Sequence, residues 1–92
     1  MSLLGEVDIG SLYSKFRTCA TNINSVWKEI PSSEQDKCRE LGNDLVDTWE
    51  KLEHTYLTHD EEQFEFVYAL FISMLNEYDR IATWQVIQKG RI

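Results

Sequence analysis

The most constraining feature of this sequence is a nearly unbroken apolar stretch over residues 64–75, FEFVYALFISML. Nine of its twelve residues are apolar. The stretch is too short to cross a bilayer, because a spanning helix needs about 20 such residues. Apolar residues continue at helical spacing as far as Val86, which predicts a long buried helix rather than a strand. Its predicted core positions are Phe64, Val67, Tyr68, Phe71, Met74, Leu75, Tyr78, Ala82 and Val86.

Two earlier runs show the same periodicity. The first begins at Ile9 and places apolar residues alternately three and four positions apart as far as Ile30. It stops there because Pro31 disfavours a helical conformation at the residue before it. The second run extends from Cys38 to Tyr56, with apolar residues three or four positions apart. The predicted helices cover residues 9–29, 33–57 and 60–88.

Polar residues at the ends of these runs supply the helix starts. The candidate N-caps are Asp8 or Ser11 for the first helix, Ser32 or Ser33 for the second, and Thr58 or Asp60 for the third. Gly42 is the weak point of the second helix. Either the helix continues, with a small residue where a neighbour approaches, or it breaks and restarts beyond Gly42. The apolar phase is unchanged across Gly42, which favours a continuous helix.

Three long helices with short connections predict an all-α, elongated, up-down-up antiparallel three-helix bundle. Residues 1–8 and 89–92 are then tails, and residues 9–88 form the bundle. Folding the chain at the two connections brings Phe16, Trp49 and Phe71 to one level, and Ile23, Leu41 and Tyr78 to another. The residues expected in the core are Phe16, Ile23, Leu45, Leu52, Phe71 and Leu75.

The balance of charge excludes two classes of partner. Sixteen acidic residues against nine basic ones give a net charge of −7. We therefore expect no nucleic-acid binding, which depends on cations that neutralise phosphates, and no docking on an anionic membrane. The first residues lack a basic segment followed by an apolar one, so we expect a cytoplasmic location.

The residues that could perform chemistry do not form a recognisable site. Glu50 and His54 are four apart, near Asp47 and His59, but this spacing occurs once and faces outward. Di-metal helical bundles instead use inward Glu-x-x-His pairs on two helices. The two cysteines, Cys19 and Cys38, lie on core stripes, and their levels differ by about 7 Å along the helix axis. We expect unpaired thiols, no metal, no cofactor and no enzymatic activity.

The side of the third helix opposite its core stripe is also apolar. Its candidate binding residues are Phe66, Leu70, Ser73, Trp84 and Ile87. A three-helix bundle covers only one side of each helix, so another element must cover this side if it is buried. The N-terminal tail, with Leu3, Leu4 and Val7, is one candidate, and scattered exposure is another. The third is a protein partner or a second copy, which predicts a protein–protein interaction module in a homodimer or a hetero-complex.

A row of carboxylates gives the alternative function. The acidic face of the second helix comprises Asp36, Glu40, Asp44, Asp47 and Glu50. Such a row is most often a solvated surface. It could also imitate phosphates and occupy a basic site on a nucleic-acid enzyme, as an acidic inhibitor does. Salt distinguishes the two functions, because an apolar interface survives high ionic strength and acidic mimicry does not.

Overall fold

The computed structural model describes residues 5–90, which form three α-helices and one short 3-10 helix. The α-helices are α1 (Ile9–Ser25), α2 (Ser32–Leu57) and α3 (Glu61–Gly90), and the 3-10 helix covers Trp27–Glu29. The Cα atoms extend over 48 × 20 × 15 Å, so the bundle is a rod. The predicted all-α, elongated three-helix bundle is confirmed. The N-terminal Leu3 and Leu4, predicted to cover part of the bundle, lie outside the described residues.

α1 ends earlier than the sequence predicts. Its α-helical geometry stops at Ser25 instead of residue 29, and the chain tightens into the 3-10 helix. The N–H of Val26 donates to Ile23 O at 3.2 Å, one residue closer than an α-helical bond would be. Ile30 is extended, with φ −78° and ψ 128°, as a residue before proline must be. The tighter turn leaves Val26 and Ile30 both buried at the end of the core.

α2 is continuous through Gly42, as the unchanged apolar phase predicts. A Cβ atom placed on Gly42 would lie 3.5 Å from the Tyr78 hydroxyl oxygen. The small residue therefore stands where α3 approaches α2. The serine caps predicted for this helix are wrong, because its N-cap is Pro31 and no side chain caps it. Gln35 instead bonds to the preceding turn, where its Nε2 donates to Trp27 O at 2.8 Å.

The turn between α2 and α3 is closed by backbone hydrogen bonds. The N–H of His59 donates to Tyr56 O at 3.3 Å, and that of Asp60 donates to Thr55 O at 3.1 Å. This Schellman pattern requires His59 in the left-handed region, with φ 55°. Asp60 is the cap that α3 uses, since its Oδ1 accepts from Gln63 N–H at 3.2 Å. Asp8 caps α1 in the same way.

The core lies between α3 and the two other helices. Five of the six residues predicted for the core are buried, and Phe16 is partly buried against it. Phe16 packs edge-on against Phe71 with ring centroids 6.5 Å apart, and Trp49 packs on Phe71 at 5.6 Å. Trp49 and Phe71 form the predicted level, whereas Phe16 lies between Phe71 and Tyr78, whose ring centroid is 6.0 Å away. The buried apolar residues are Cys19, Ile23, Val26, Ile30, Cys38, Leu45, Leu52, Phe64, Val67, Phe71, Leu75, Tyr78 and Ala82.

The end of α3 departs from the prediction. Val86, expected in the core, is 41% exposed, and the helix continues to Gly90 instead of ending at residue 88. Phe16 lies between Phe71 and Tyr78, and Lys89 Nζ donates to Ser25 O at 3.3 Å, so α1 reaches the last turns of α3. Ala82 is the last buried residue of α3, so the core ends one turn before Val86 and leaves it uncovered.

Candidate interaction surface

The back face of α3, defined as Phe66, Leu70, Ser73, Trp84 and Ile87, is exposed at every position. Phe66 is 69% exposed and Trp84 is 54% exposed, although Phe64 and Phe71 of the same helix are fully buried. No described residue covers these side chains, including the described part of the N-terminal tail, which was one of the alternatives that the sequence left open. Val7, the described part of that tail, packs against the core.

Helix geometry places the two aromatic residues of the back face on one line. Phe66 and Trp84 are eighteen positions apart, which is five complete turns. They therefore point in the same direction, about 27 Å apart along the axis. The buried Phe71 points about 140° away from that direction. The back face is a long, narrow strip, and its ends are its most apolar parts.

Two charged residues lie in the middle of this strip, and the sequence analysis missed both of them. Glu77 and Arg80 continue the three-and-four spacing that connects Ser73 with Trp84. Glu77 accepts from Lys37 Nζ of α2 at 3.5 Å. Within residues 5–90, Arg80 has no carboxylate within 4.0 Å. The signal that could have found the pair is the same helical spacing, extended to polar residues.

A groove adjoins one end of the back face. It has a volume of about 610 Å³ and lies between the start of α2 and the end of α3. Its lining residues are Pro31, Glu34, Lys37, Arg80, Ile81, Trp84 and Gln85. Trp84 therefore presents its ring both to the groove and to the outside of the bundle. Such a half-exposed aromatic beside a groove is the type of side chain that anchors protein interfaces.

The acidic face of α2 lies on the side opposite the core, and all five of its carboxylates are exposed. Asp36 accepts from Arg39 Nη1 at 3.4 Å. No basic side chain in the described part of the chain lies within 4.0 Å of the other four. Asp47 and Glu50 also line a groove of about 580 Å³ beside the α2–α3 turn.

The groups capable of nucleophilic or metal chemistry are buried or scattered. Cys19 and Cys38 are free, as predicted, and both are buried. The Sγ of Cys19 donates to Asp79 Oδ1 at 3.5 Å. Burial, together with the Asp79 carboxylate, raises the pKa of the Cys19 thiol to about 11, which keeps it protonated and unreactive. Across residues 5–90, no three His, Cys, Asp or Glu side chains are grouped to hold a metal ion.

No protein-family model, curated protein or solved structure matches this chain significantly. None of the helices between residues 5 and 90 is long and apolar enough to cross a membrane.

Proposed function

We propose that this chain is a non-enzymatic protein–protein interaction module that binds through the back face of α3. The observation that carries this proposal is the exposure of Phe66 and Trp84 on a helix whose other side already fills the core. Burying each ring would contribute about 1.5–3 kcal/mol. The fold of the single chain leaves more than half of each residue exposed, 69% for Phe66 and 54% for Trp84, so an interface could still gain much of this energy.

The shape of the back face suits an elongated partner. The strip is about 27 Å long between its terminal aromatics and only one helix wide. A second helix packed along it would cover Phe66, Leu70 and Trp84 at once, as helices do in grooves and coiled coils. The partner in this proposal is a protein, either another copy or a different chain, and it is neither nucleic acid nor membrane. We place the module in the cytoplasm, where free thiols such as Cys19 and Cys38 persist.

The acidic face supports a second candidate function, an acidic inhibitor that occupies a basic site on a nucleic-acid enzyme. Four of its five carboxylates have no cation within 4.0 Å among the described residues, so their charge remains available. Raising the ionic strength separates the candidates. Binding through the back face should survive 1 M salt, whereas binding through the carboxylates should weaken steeply.

The direct test is the double variant Phe66→Ser with Trp84→Ser. Both side chains are exposed, so circular dichroism should show helix content close to that of the wild type. Light scattering at several concentrations should show that self-association is lost, and a partner isolated with the wild-type chain should no longer bind. The matched control is Val46→Ser with Leu57→Ser, which removes two exposed aliphatic side chains from α2.

Two outcomes would contradict the proposal. Unfolding of the double variant would show that Phe66 and Trp84 belong to the core. A folded double variant that retains every interaction of the wild type would show that the interface lies elsewhere. In that case the acidic face would become the better candidate, and its test would be reversal of Asp44 and Asp47.

A further inference from the structure

The outward-facing line of α3 is symmetric about the midpoint between Glu77 and Arg80. Its positions are Leu70, Ser73, Glu77, Arg80, Trp84 and Ile87, of which Glu77 is half-buried beside Lys37 of α2 and the others are exposed. The intervals between them are three, four, three, four and three residues, so the line has the same spacing in both directions. Rotating an identical helix by 180° about an axis through this midpoint places every position of the line opposite another. A twofold, isologous contact needs this arrangement.

The residues that become opposed are complementary in size and charge. Ser73, the small residue of the line, comes opposite Trp84 of the second copy. Leu70 comes opposite Ile87, so that apolar meets apolar. Glu77 comes opposite Arg80, and the twofold axis repeats each of these pairs. We propose that the back face is occupied by a second copy of this chain, with the two α3 helices packed antiparallel; this rests on the proposed function of that face.

The central charges decide the orientation of the pair. Arg80 has no carboxylate within 4.0 Å in the part of the chain that the structure describes. Glu77 binds Lys37 through a bridge whose side chains are 57% and 38% exposed, so its carboxylate stays open to a second cation. A parallel pair of α3 helices would place Glu77 against Glu77 and Arg80 against Arg80. Complementary charges favour one register and like charges exclude others, which explains a charged pair in an apolar strip.

In this register the two aromatic residues of the back face do not contribute equally to the contact between the copies. Trp84 lies inside the contact, between Arg80 and Ile87 of its own helix. Phe66 lies one turn before Leu70, and its level is about 6 Å along the axis from that of Ile87 in the second copy. The competing register, with Phe66 opposite Trp84, would place Arg80 opposite Leu70 and Glu77 opposite Ser73. It leaves both charges without a partner and makes the two aromatics equivalent.

Charge reversal tests the register without removing apolar surface. Glu77→Arg opposes two pairs of cations across the axis, and Arg80→Glu opposes two pairs of anions. We expect each single variant to raise the dimer dissociation constant at least about tenfold, as coupling across close charge pairs does in other interfaces. The variant carrying both substitutions restores two acid–base pairs. Its dissociation constant should return to within about threefold of the wild-type value, since the coupling is then recovered.

A mixture gives a sharper version of the same test. Equal amounts of the Glu77→Arg chain and the Arg80→Glu chain should form a heterodimer, because every opposed pair then contains one acid and one base. Sedimentation equilibrium measures both the single chains and the mixture, and circular dichroism checks that each chain is folded. The matched controls are Glu53→Arg and Arg17→Glu, which change the net charge equally at exposed sites on α2 and α1. They should leave the dimer unchanged.

The possible results separate this inference from the proposed function. Loss of dimer in both single variants, with recovery in the double variant and in the mixture, supports the antiparallel register. Unchanged dimerisation in the single variants overturns the register, even if Phe66→Ser with Trp84→Ser abolishes association. A second result concerns the occupant of the back face. If the wild-type chain binds another protein but stays monomeric at about 100 times the concentration needed for that binding, a second copy is not the occupant. The back face would then serve a different protein.

Discussion

Replacement of Phe71 by alanine should remove a large part of the stability of the bundle. The Phe71 side chain has no exposed surface and lies between the rings of Phe16 and Trp49, whose centroids are 6.5 and 5.6 Å away. Truncation to alanine removes the buried ring and leaves a cavity. Together these effects lower the free energy of unfolding by about 3–5 kcal/mol for a buried phenylalanine. At about 0.05–0.15 kcal/mol per residue, a chain of this length has a total of roughly 5–14 kcal/mol. The loss therefore lies between about a fifth and the whole of the stability.

α3 contains its own matched control for this experiment. Phe66 is the same residue type on the same helix, five positions earlier, but it is 69% exposed. Phe66→Ala loses little burial and gains up to about 0.5 kcal/mol of helix propensity, so its net effect should lie within about 0.5 kcal/mol of zero. Comparing the two variants cancels the change in propensity and isolates the burial of Phe71.

The assay is urea unfolding followed by circular dichroism. It should be run below the concentration at which the chain associates, because an interface at Phe66 would otherwise add to the apparent stability. The midpoint for Phe71→Ala should fall far below that of the wild type, with the slope unchanged, while Phe66→Ala should nearly coincide with the wild type. Equal losses in the two monomeric variants would show that the inner and outer faces of α3 are wrongly assigned.

Two further results are expected from the turn and the thiols. His59→Gly should stabilise the fold by about 0.5–1 kcal/mol, because glycine adopts the left-handed conformation of this position without the steric cost that histidine incurs; His59→Ala should give no such gain in thermal unfolding. Burial raises the pKa values of Cys19, Cys38 and Tyr78 in the folded chain, so unfolding releases protons at high pH. The contribution of these three groups to stability should be constant below about pH 8 and fall as the pH rises from the ordinary thiol value of 9.0 towards about 11, and Cys19→Ala should flatten that decline in urea midpoints measured against pH.

The periodicity of the sequence was sufficient to predict the helices and the layers between them. A stripe with three-and-four spacing can bury its apolar side only against similar stripes, so short connections leave few arrangements. The contacts of Phe71 with Phe16 and Trp49 follow from residue counts alone. The continuity of α2 through Gly42 could be predicted for the same reason, because the apolar stripe keeps its phase across this residue.

The positions at which the helices end could not be predicted from the apolar spacing, because they depend on packing between the helices. Pro31 determines that Ile30 is extended, but the tightening of the chain after Ser25 brings Val26 and Ile30 into the core together. The turn at His59 is closed by backbone bonds that many residues could form. Val86 continues the spacing of the core stripe and is exposed because the core ends one turn earlier, at Ala82. A single stripe does not show how far the neighbouring helices extend.

The position of the candidate site could be predicted, because helical phase shows which side chains point away from the core. Its full set of residues was harder to predict, because helical phase does not show which side chains another element covers. Phe66 and Trp84 were placed outside the core from their angles alone, and both are exposed in the described chain. The fold of one chain would be satisfied by any polar residue at either position, so these side chains are not explained by the stability of the monomer. Glu77 and Arg80 are not part of the apolar periodicity, although polar residues are the ones that distinguish one partner or register from another. In an apolar strip of this length, the position of a single charged pair contains more information about the partner than the surrounding hydrophobic area does.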